Sequence, residues 1–244
     1  MVKIKIVENY GTMSIEGADI AEQIVEKNPD AVLGLATGET FLMFYKELVK
    51  RHNKGLDFSK VKTFNLDEYV GIDRGHPESF RRYMYENFLN RVNIKEKNVH
   101  IPDGTADDLE KECETYEKAI REAGGIDLQF VGIGANGHIA YNEPSSSFDS
   151  RTRVIKLDED TRKRKERNLN GAKVPKKAIT MGIETIMESD KIVMLASGRA
   201  KAEAVAKAVE GPTTEEVPAS VLQKHEDFTL ILDEGAASKL TEMK

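Results

Sequence analysis

The sequence predicts an α/β fold: a single-domain, Rossmann-like three-layer sandwich with a mostly parallel sheet and helices on both faces. Two observations carry that reading. Short apolar runs alternate with amphipathic helical stretches from end to end, the pattern of parallel strands joined by helical crossovers. No internal repeat, low-complexity segment or Gly/Ser linker divides the 244 residues, and that length can bury one sizeable core.

Taken in order, strong strands are expected at "KIKIVE", "AVLGLAT", "VKTFNLDEY", "DLQFVGIG", "KIVMLAS" and "FTLILD", with weaker ones at "NVHI", "TRVIKL" and "AITMG". "SIEGADIAEQIVEKN" and "RAKAEAVAKAVEG" between them carry apolar residues at helical spacing, and the second runs into Gly211 and Pro212, a helix-ending pair. "DEDTRKRKERNLNGAKVPKK", residues 158 to 177, breaks the rhythm. It is polar, basic in its middle and closed by Asn-Gly and Pro. Either it is a solvated helix face and loop, or it belongs to a lid at about 150–180 whose cations meet an anionic ligand.

Composition narrows the partners. A net charge of -6 argues against nucleic acid or an anionic membrane held by a broad basic face, so any anion must be bound locally. Cys113 is the only cysteine, which rules out an intrachain disulfide, and its place in "DDLEKECETYEKAIREAG" reads as a small packed side chain. No leader-like segment opens the chain and no run approaches the roughly 20 apolar residues of a membrane span, so a cytoplasmic protein is expected.

Ligands of open parallel sheets sit beyond the carboxyl ends of the strands, and four strand ends here carry polar groups. After "AVLGLAT" come Gly38, Glu39 and Thr40, then a helix; such a turn exposes backbone N–H groups and suits a phosphate, although Thr37 or Thr40 can equally be a cap. After "KIVMLAS" come Gly198, Arg199 and Lys201 in a first helical turn, where cations oppose the dipole unless an anion is near. After "VKTFNL" come Asp67 and Glu68, which on a strand point to opposite faces. After the fourth comes "GIGANGHIAYNEP", residues 132 to 144, with Asn136, His138 and Glu143. The other histidines, at 52, 76, 100 and 225, read as surface residues.

Gly132, Gly134 and Gly137 also spell the dinucleotide fingerprint G-x-G-x-x-G, with Asp158 near the distance of its acidic partner. "HIAYNEPSSSFDS" cannot form the helix that fingerprint must open, so the match is coincidental.

"FNLDEYVGI", "HPESF", "GIGANGHIAYNEP", "SRTR", "VPKKAITMG" and "SGRAKAEAV", in that order, resemble the glucosamine-6-phosphate deaminase family from about residue 30 onward. The resemblance implies conversion of glucosamine 6-phosphate and water to fructose 6-phosphate and ammonia, with no cofactor and no metal. By it Asp67 moves the C2 proton toward C1, and His138, helped by Glu143, opens the ring. Backbone groups of Gly38, Glu39 and Thr40 hold the phosphate, Arg167 and Lys201 supply charge, and Glu68 lies close to the substrate.

Departures from the family pattern matter. Asn136 stands where some members have Asp; its amide oxygen can accept a bond from the imidazole but cannot stabilise an imidazolium as a carboxylate would. Glu39 replaces a usual small residue and Phe41 a usual Pro, and a carboxylate beside the turn repels phosphate unless it points away. Arg153 matches a basic effector contact of hexameric members, whereas Ile155 replaces another and their longer tail is absent, so weak or absent allostery is expected. The sequence leaves monomer or homo-oligomer open. Two rivals remain: a 6-phosphogluconolactonase-like esterase, which needs no C2 base, and a non-catalytic sugar-phosphate sensor.

Overall fold

A computed structural model of the chain describes residues 2–157 and 175–241. Nine of its strands and the breaks between them fall where the apolar runs place them, and a tenth arises from a run that divides. The chain begins β1 (Lys3–Val7), α1 (Tyr10–Lys27), β2 (Val32–Leu35), α2 (Leu42–His52), β3 (Lys62–Asn65), β4 (Asp67–Tyr69), α3 (Phe80–Asn87), β5 (Val99–His100) and α4 (Leu109–Ala123). It continues β6 (Leu128–Val131), β7 (Arg153–Lys156), β8 (Lys177–Thr180), α5 (Ile183–Met187), β9 (Ile192–Ala196), α6 (Ala202–Val209), β10 (Phe228–Asp233) and α7 (Glu234–Ala237).

Seven strands form a parallel sheet in the order β1-β10-β9-β6-β2-β3-β5. β2, β6 and β9 are buried at every position, because helices cover both faces and leave no side for polar residues. On one face Gly17 of α1 lies against Leu195, and Phe44 of α2 packs 4.5 Å from Phe130. On the other face Tyr116 of α4 meets Phe64 at 5.7 Å. Local chemistry sets the helix ends: Asn9 accepts from Thr12 N at the start of α1, Asp108 accepts from Lys111 N at the start of α4, and Gly124 at φ 102° stops α4. Cys113 is buried in α4, and burial pushes its thiol up to about 11, the state of a packed thiol rather than a nucleophile.

"VKTFNLDEY" is not one strand. Leu66 still donates to Leu35 O of the parallel sheet, but its own carbonyl accepts from Met181 N at 2.7 Å. From Asp67 onward the chain therefore leaves that sheet and pairs antiparallel with β8, which pairs in turn with β7. This three-stranded sheet stands over the carboxyl edge of the large one and has its own small core of Tyr69, Tyr141, Leu157 and Ala178. Most of the lid segment, residues 158–174, lies outside the described residues; β7 and β8, which flank it, pair with each other.

Candidate active site

A cavity of about 480 Å³ opens at the carboxyl ends of β2, β6 and β9 and beneath β4. Asp67, His138, Lys201 and the turn Gly38, Glu39, Thr40 line it together, although the sequence separates them by up to 163 positions. The switch of β4 out of the parallel sheet is what aims Asp67 downward into this space.

The glycines of the opening motif do two local jobs, neither of them dinucleotide binding. The imidazole of His138 lies across Gly134 so closely that a Cβ there would sit 2.4 Å from Cε1 and Nε2. Gly137 has φ 89°, which a side chain rarely adopts, and lets the loop reverse with Gly137 N on Gly134 O. Gly134 N then donates to His138 O at 2.9 Å and closes the loop around the histidine.

Behind His138 sits Glu143, whose Oε2 is 3.2 Å from His138 Nδ1. A carboxylate only accepts, so Nδ1 carries the proton and Nε2 is left as the basic nitrogen. Asn136 does not touch the imidazole, contrary to expectation. Its amide nitrogen donates to the same Glu143 Oε2 at 2.5 Å, and its oxygen accepts from the His138 backbone N at 3.3 Å. It therefore orients the carboxylate, not the ring. Asn142, fully buried, ties the loop down by donating to Ile139 O and Met181 O, and Arg153 Nη1 donates to its oxygen at 2.9 Å.

Glu68 lies elsewhere. As the strand alternation requires, it points away from Asp67 and is absent from the cavity wall. Its two oxygens accept from Tyr69 N, Phe80 N, Ser79 Oγ and Arg81 N at 2.8–3.0 Å. It caps a helix instead of lining the cavity: a carboxylate at the amino end of α3 satisfies donors that no helical carbonyl can reach. Through that cap it sets the position of Ser79, Phe80 and Tyr83, which are cavity wall. Arg167 lies outside the described residues.

Lys201 reaches the cavity from a second glycine turn, Gly198 at φ 88°, held by Asp233 at the end of β10. Burial alone would raise that carboxyl, but Ser197 Oγ, Ala236 N and Gly198 N donate to it and hold it below the usual carboxylate range. Sequence reading passed over Asp233, although a strand-end Asp followed by a short helix is a capping signal. It also passed over Tyr69 and Tyr141, whose hydroxyls meet at 2.9 Å in the cavity wall. Burial, followed by the neighbouring Tyr69 and Asp67, raises the Tyr141 phenol well above its ordinary value, so it stays a donor. Glu39 is exposed at the mouth of the turn, while Phe41 is buried against Phe44 and Tyr45 and is absorbed by the core. The other four histidines are half-buried rather than surface residues: His52 and His76 bond local backbone groups, His225 bonds Asp227 N nearby and Ser189 O 36 positions away, and His100 stacks on Phe64.

A cavity at the carboxyl edge of a parallel sheet, lined by a glycine turn, a histidine backed by a glutamate and an aspartate, is the place where enzymes of this architecture bind small-molecule ligands. The chain belongs to the family described as glucosamine-6-phosphate isomerases/6-phosphogluconolactonase, which it matches over residues 13–231. It is 50% identical over 239 residues to a glucosamine-6-phosphate deaminase of Thermoanaerobacter sp. (strain X514), covering 97% of this chain and 94% of the relative. It is 50% identical over 243 residues to glucosamine-6-phosphate deaminase 2 of Bacillus subtilis (strain 168), covering 98% of each. Among solved structures, a monomeric glucosamine-6-phosphate deaminase superposes with TM-score 0.94 at 44% identity, covering 97% of this chain and 99% of the other. A 6-phosphogluconolactonase from Trypanosoma cruzi superposes with TM-score 0.81 at 21% identity, covering 99% and 97%, and shares the fold.

Proposed function

We infer that this chain is a deaminating aldose–ketose isomerase that converts glucosamine 6-phosphate and water to fructose 6-phosphate and ammonia, in amino sugar catabolism. The observation that carries the reading is the convergence of Asp67 and the His138–Glu143 pair on one cavity beside the Gly38 turn. An esterase has use for the histidine but none for a second base on the facing wall.

Each role follows from the chemistry. His138 Nε2, left basic by Glu143, takes the proton of the C1 hydroxyl and returns one to the ring oxygen, which opens the pyranose. Asp67 removes the C2 proton and delivers it to C1, while a proton from the amine passes to the C1 oxygen, so the C2 amine becomes a ketimine; water then adds at C2 and the nitrogen leaves as ammonia. Backbone groups of Gly38, Glu39 and Thr40 hold the phosphate, with charge from Lys201 and, from outside the described residues, Arg167. Asn136 keeps Glu143 in register.

The same proposal makes the whole chain one cytoplasmic catalytic domain with a small-molecule sugar phosphate as its partner. Among the described residues no helix is long and apolar enough to cross a membrane. Weak or absent allostery is also part of it. Arg153 is half-buried and donates to Asn142 Oδ1 and Arg151 O within the chain, which supports that view.

The test is release of ammonia and fructose 6-phosphate from glucosamine 6-phosphate, with galactosamine 6-phosphate alongside, in wild type and Asp67→Asn. Equal amounts of both products from the wild type, and neither from Asp67→Asn although it still binds phosphate, are expected. Lactone hydrolysis that survives Asp67→Asn supports the esterase instead, and binding without turnover in the wild type supports a sensor.

A further inference from the structure

The stretch that joins β2 to α2 has its carbonyls gripped from three directions. Tyr45 Oη of α2 donates to Ala36 O at 2.5 Å, Tyr83 Oη of α3 donates to Gly38 O at 2.7 Å, and Tyr10 Oη of α1 donates to Glu39 O at 2.7 Å. Tyr10 Oη also accepts from Met43 N at 3.1 Å, which ties the turn to the first residues of α2. Among the described residues, no acceptor bonds the backbone N–H groups of Gly38, Glu39 or Thr40.

We propose that Tyr10, Tyr45 and Tyr83 are positioning residues that hold the carbonyls of this turn away from the cavity, so that its N–H groups form the cradle for the phosphate of the substrate. A peptide has a donor at one end and an acceptor at the other, and a free turn can present either to an anion. Carbonyl oxygens facing a phosphate repel it; carbonyls anchored to three separate helices cannot rotate inward. The cradle is thus organised before the ligand arrives, which lowers the ordering cost of binding.

The second glycine turn supplies the contrast. Gly198 also sits at positive φ ahead of a single 3₁₀ turn and a helix, but its N–H is already spent on Asp233 Oδ1 and Oδ2 at 2.9 and 3.0 Å. That turn delivers the Lys201 side chain, whereas the Gly38 turn delivers its backbone. Tyr83 links the cradle to the base as well. It is carried by α3, whose amino end is fixed by Glu68, the residue next to Asp67.

The inference rests on the sugar-phosphate reading, so its test uses binding as well as turnover. Tyr83→Phe keeps the ring that packs 6.2 Å from Tyr45 and removes only the hydroxyl. One net hydrogen bond corresponds to about a two- to tenfold change in affinity. Inorganic phosphate binding by calorimetry should weaken by that factor. KM for glucosamine 6-phosphate should rise in parallel, with kcat held within about twofold, because the reacting carbons are untouched. Tyr10→Phe should behave alike. The control is Tyr85→Phe, which removes from the same helix a hydroxyl bonded to Glu96 and should change neither quantity. Unchanged phosphate affinity in Tyr83→Phe, or equal losses in Tyr83→Phe and Tyr85→Phe, overturns the clamp. A wild type that binds phosphate with the predicted variant pattern but turns over no amino sugar leaves the clamp standing and removes the isomerase reading; a wild type that binds no phosphate overturns both.

Discussion

Replacing Gly134 by alanine should cost this enzyme its ring-opening step while leaving its fold intact. The added Cβ would lie 2.4 Å from Cε1 and Nε2 of His138, whereas ordinary contacts of that kind begin near 3.4 Å. About 1 Å of displacement is therefore forced on the imidazole. The 3.2 Å bond to Glu143 Oε2 cannot survive such a shift, so the ring loses both its place and the partner that selects its tautomer. A misplacement of that size costs on the order of 10²-fold in rate, and His138→Gln, which deletes the group, should cost about 10² to 10⁴. Steady-state kcat for fructose 6-phosphate release measures both, with thermal melting as the check on folding. The decisive variant is the double one. If Gly134 acts through His138 alone, Gly134→Ala adds little to His138→Gln, because residues acting as a unit are not additive. Full activity in Gly134→Ala, or losses that multiply in the double variant, would refute the account of the loop.

Three further outcomes follow from the site. Asn136→Asp would place a second carboxylate within about 2.5 Å of Glu143 Oε2, and two carboxylates so close share a proton, which raises one of their pKa values. Since Glu143 must be ionised to accept from Nδ1, the acid limb of the kcat profile should move to higher pH; an unmoved limb would contradict the assigned wiring. Glu68→Gln turns an amide N–H toward either Ser79 Oγ and Arg81 N or Tyr69 N and Phe80 N, and should lower stability by about 1–3 kcal/mol in denaturant titration. A neutral result would mean that α3 does not depend on its cap. Initial rates with and without N-acetylglucosamine 6-phosphate should trace the same hyperbola, and a sigmoidal curve made hyperbolic by the effector would sink the expectation drawn from Arg153 and Ile155.

Much of this molecule was readable one residue after another. The apolar runs marked the strands because parallel strands covered on both faces must be apolar throughout, and the capping residues Asn9, Asp108 and Gly124 act within a few positions of themselves. Glu68 was half legible. Its direction away from Asp67 follows from strand alternation, but three of its four partners lie 11 to 13 positions on, at the start of a helix whose approach no local pattern encodes. Asn136 was misjudged for a similar reason: whether an amide meets the ring or the carboxylate depends on how tightly the loop closes, which Gly134 and Gly137 decide together.

By itself, then, the sequence determined the strand and helix segments, the layered class they imply, the polar strand ends and the motifs that mark the family, since each depends on periodicity and neighbours. Only the tertiary structure decided that "VKTFNLDEY" breaks at Leu66, that Asp67 turns into the cavity and Glu68 out of it, and that three tyrosines from three helices meet one turn. Those outcomes depend on which carbonyl is within reach of which N–H or hydroxyl after the chain has packed, and contacts across 29, 45 or more positions are set by the packing of whole elements, not by the residues beside them.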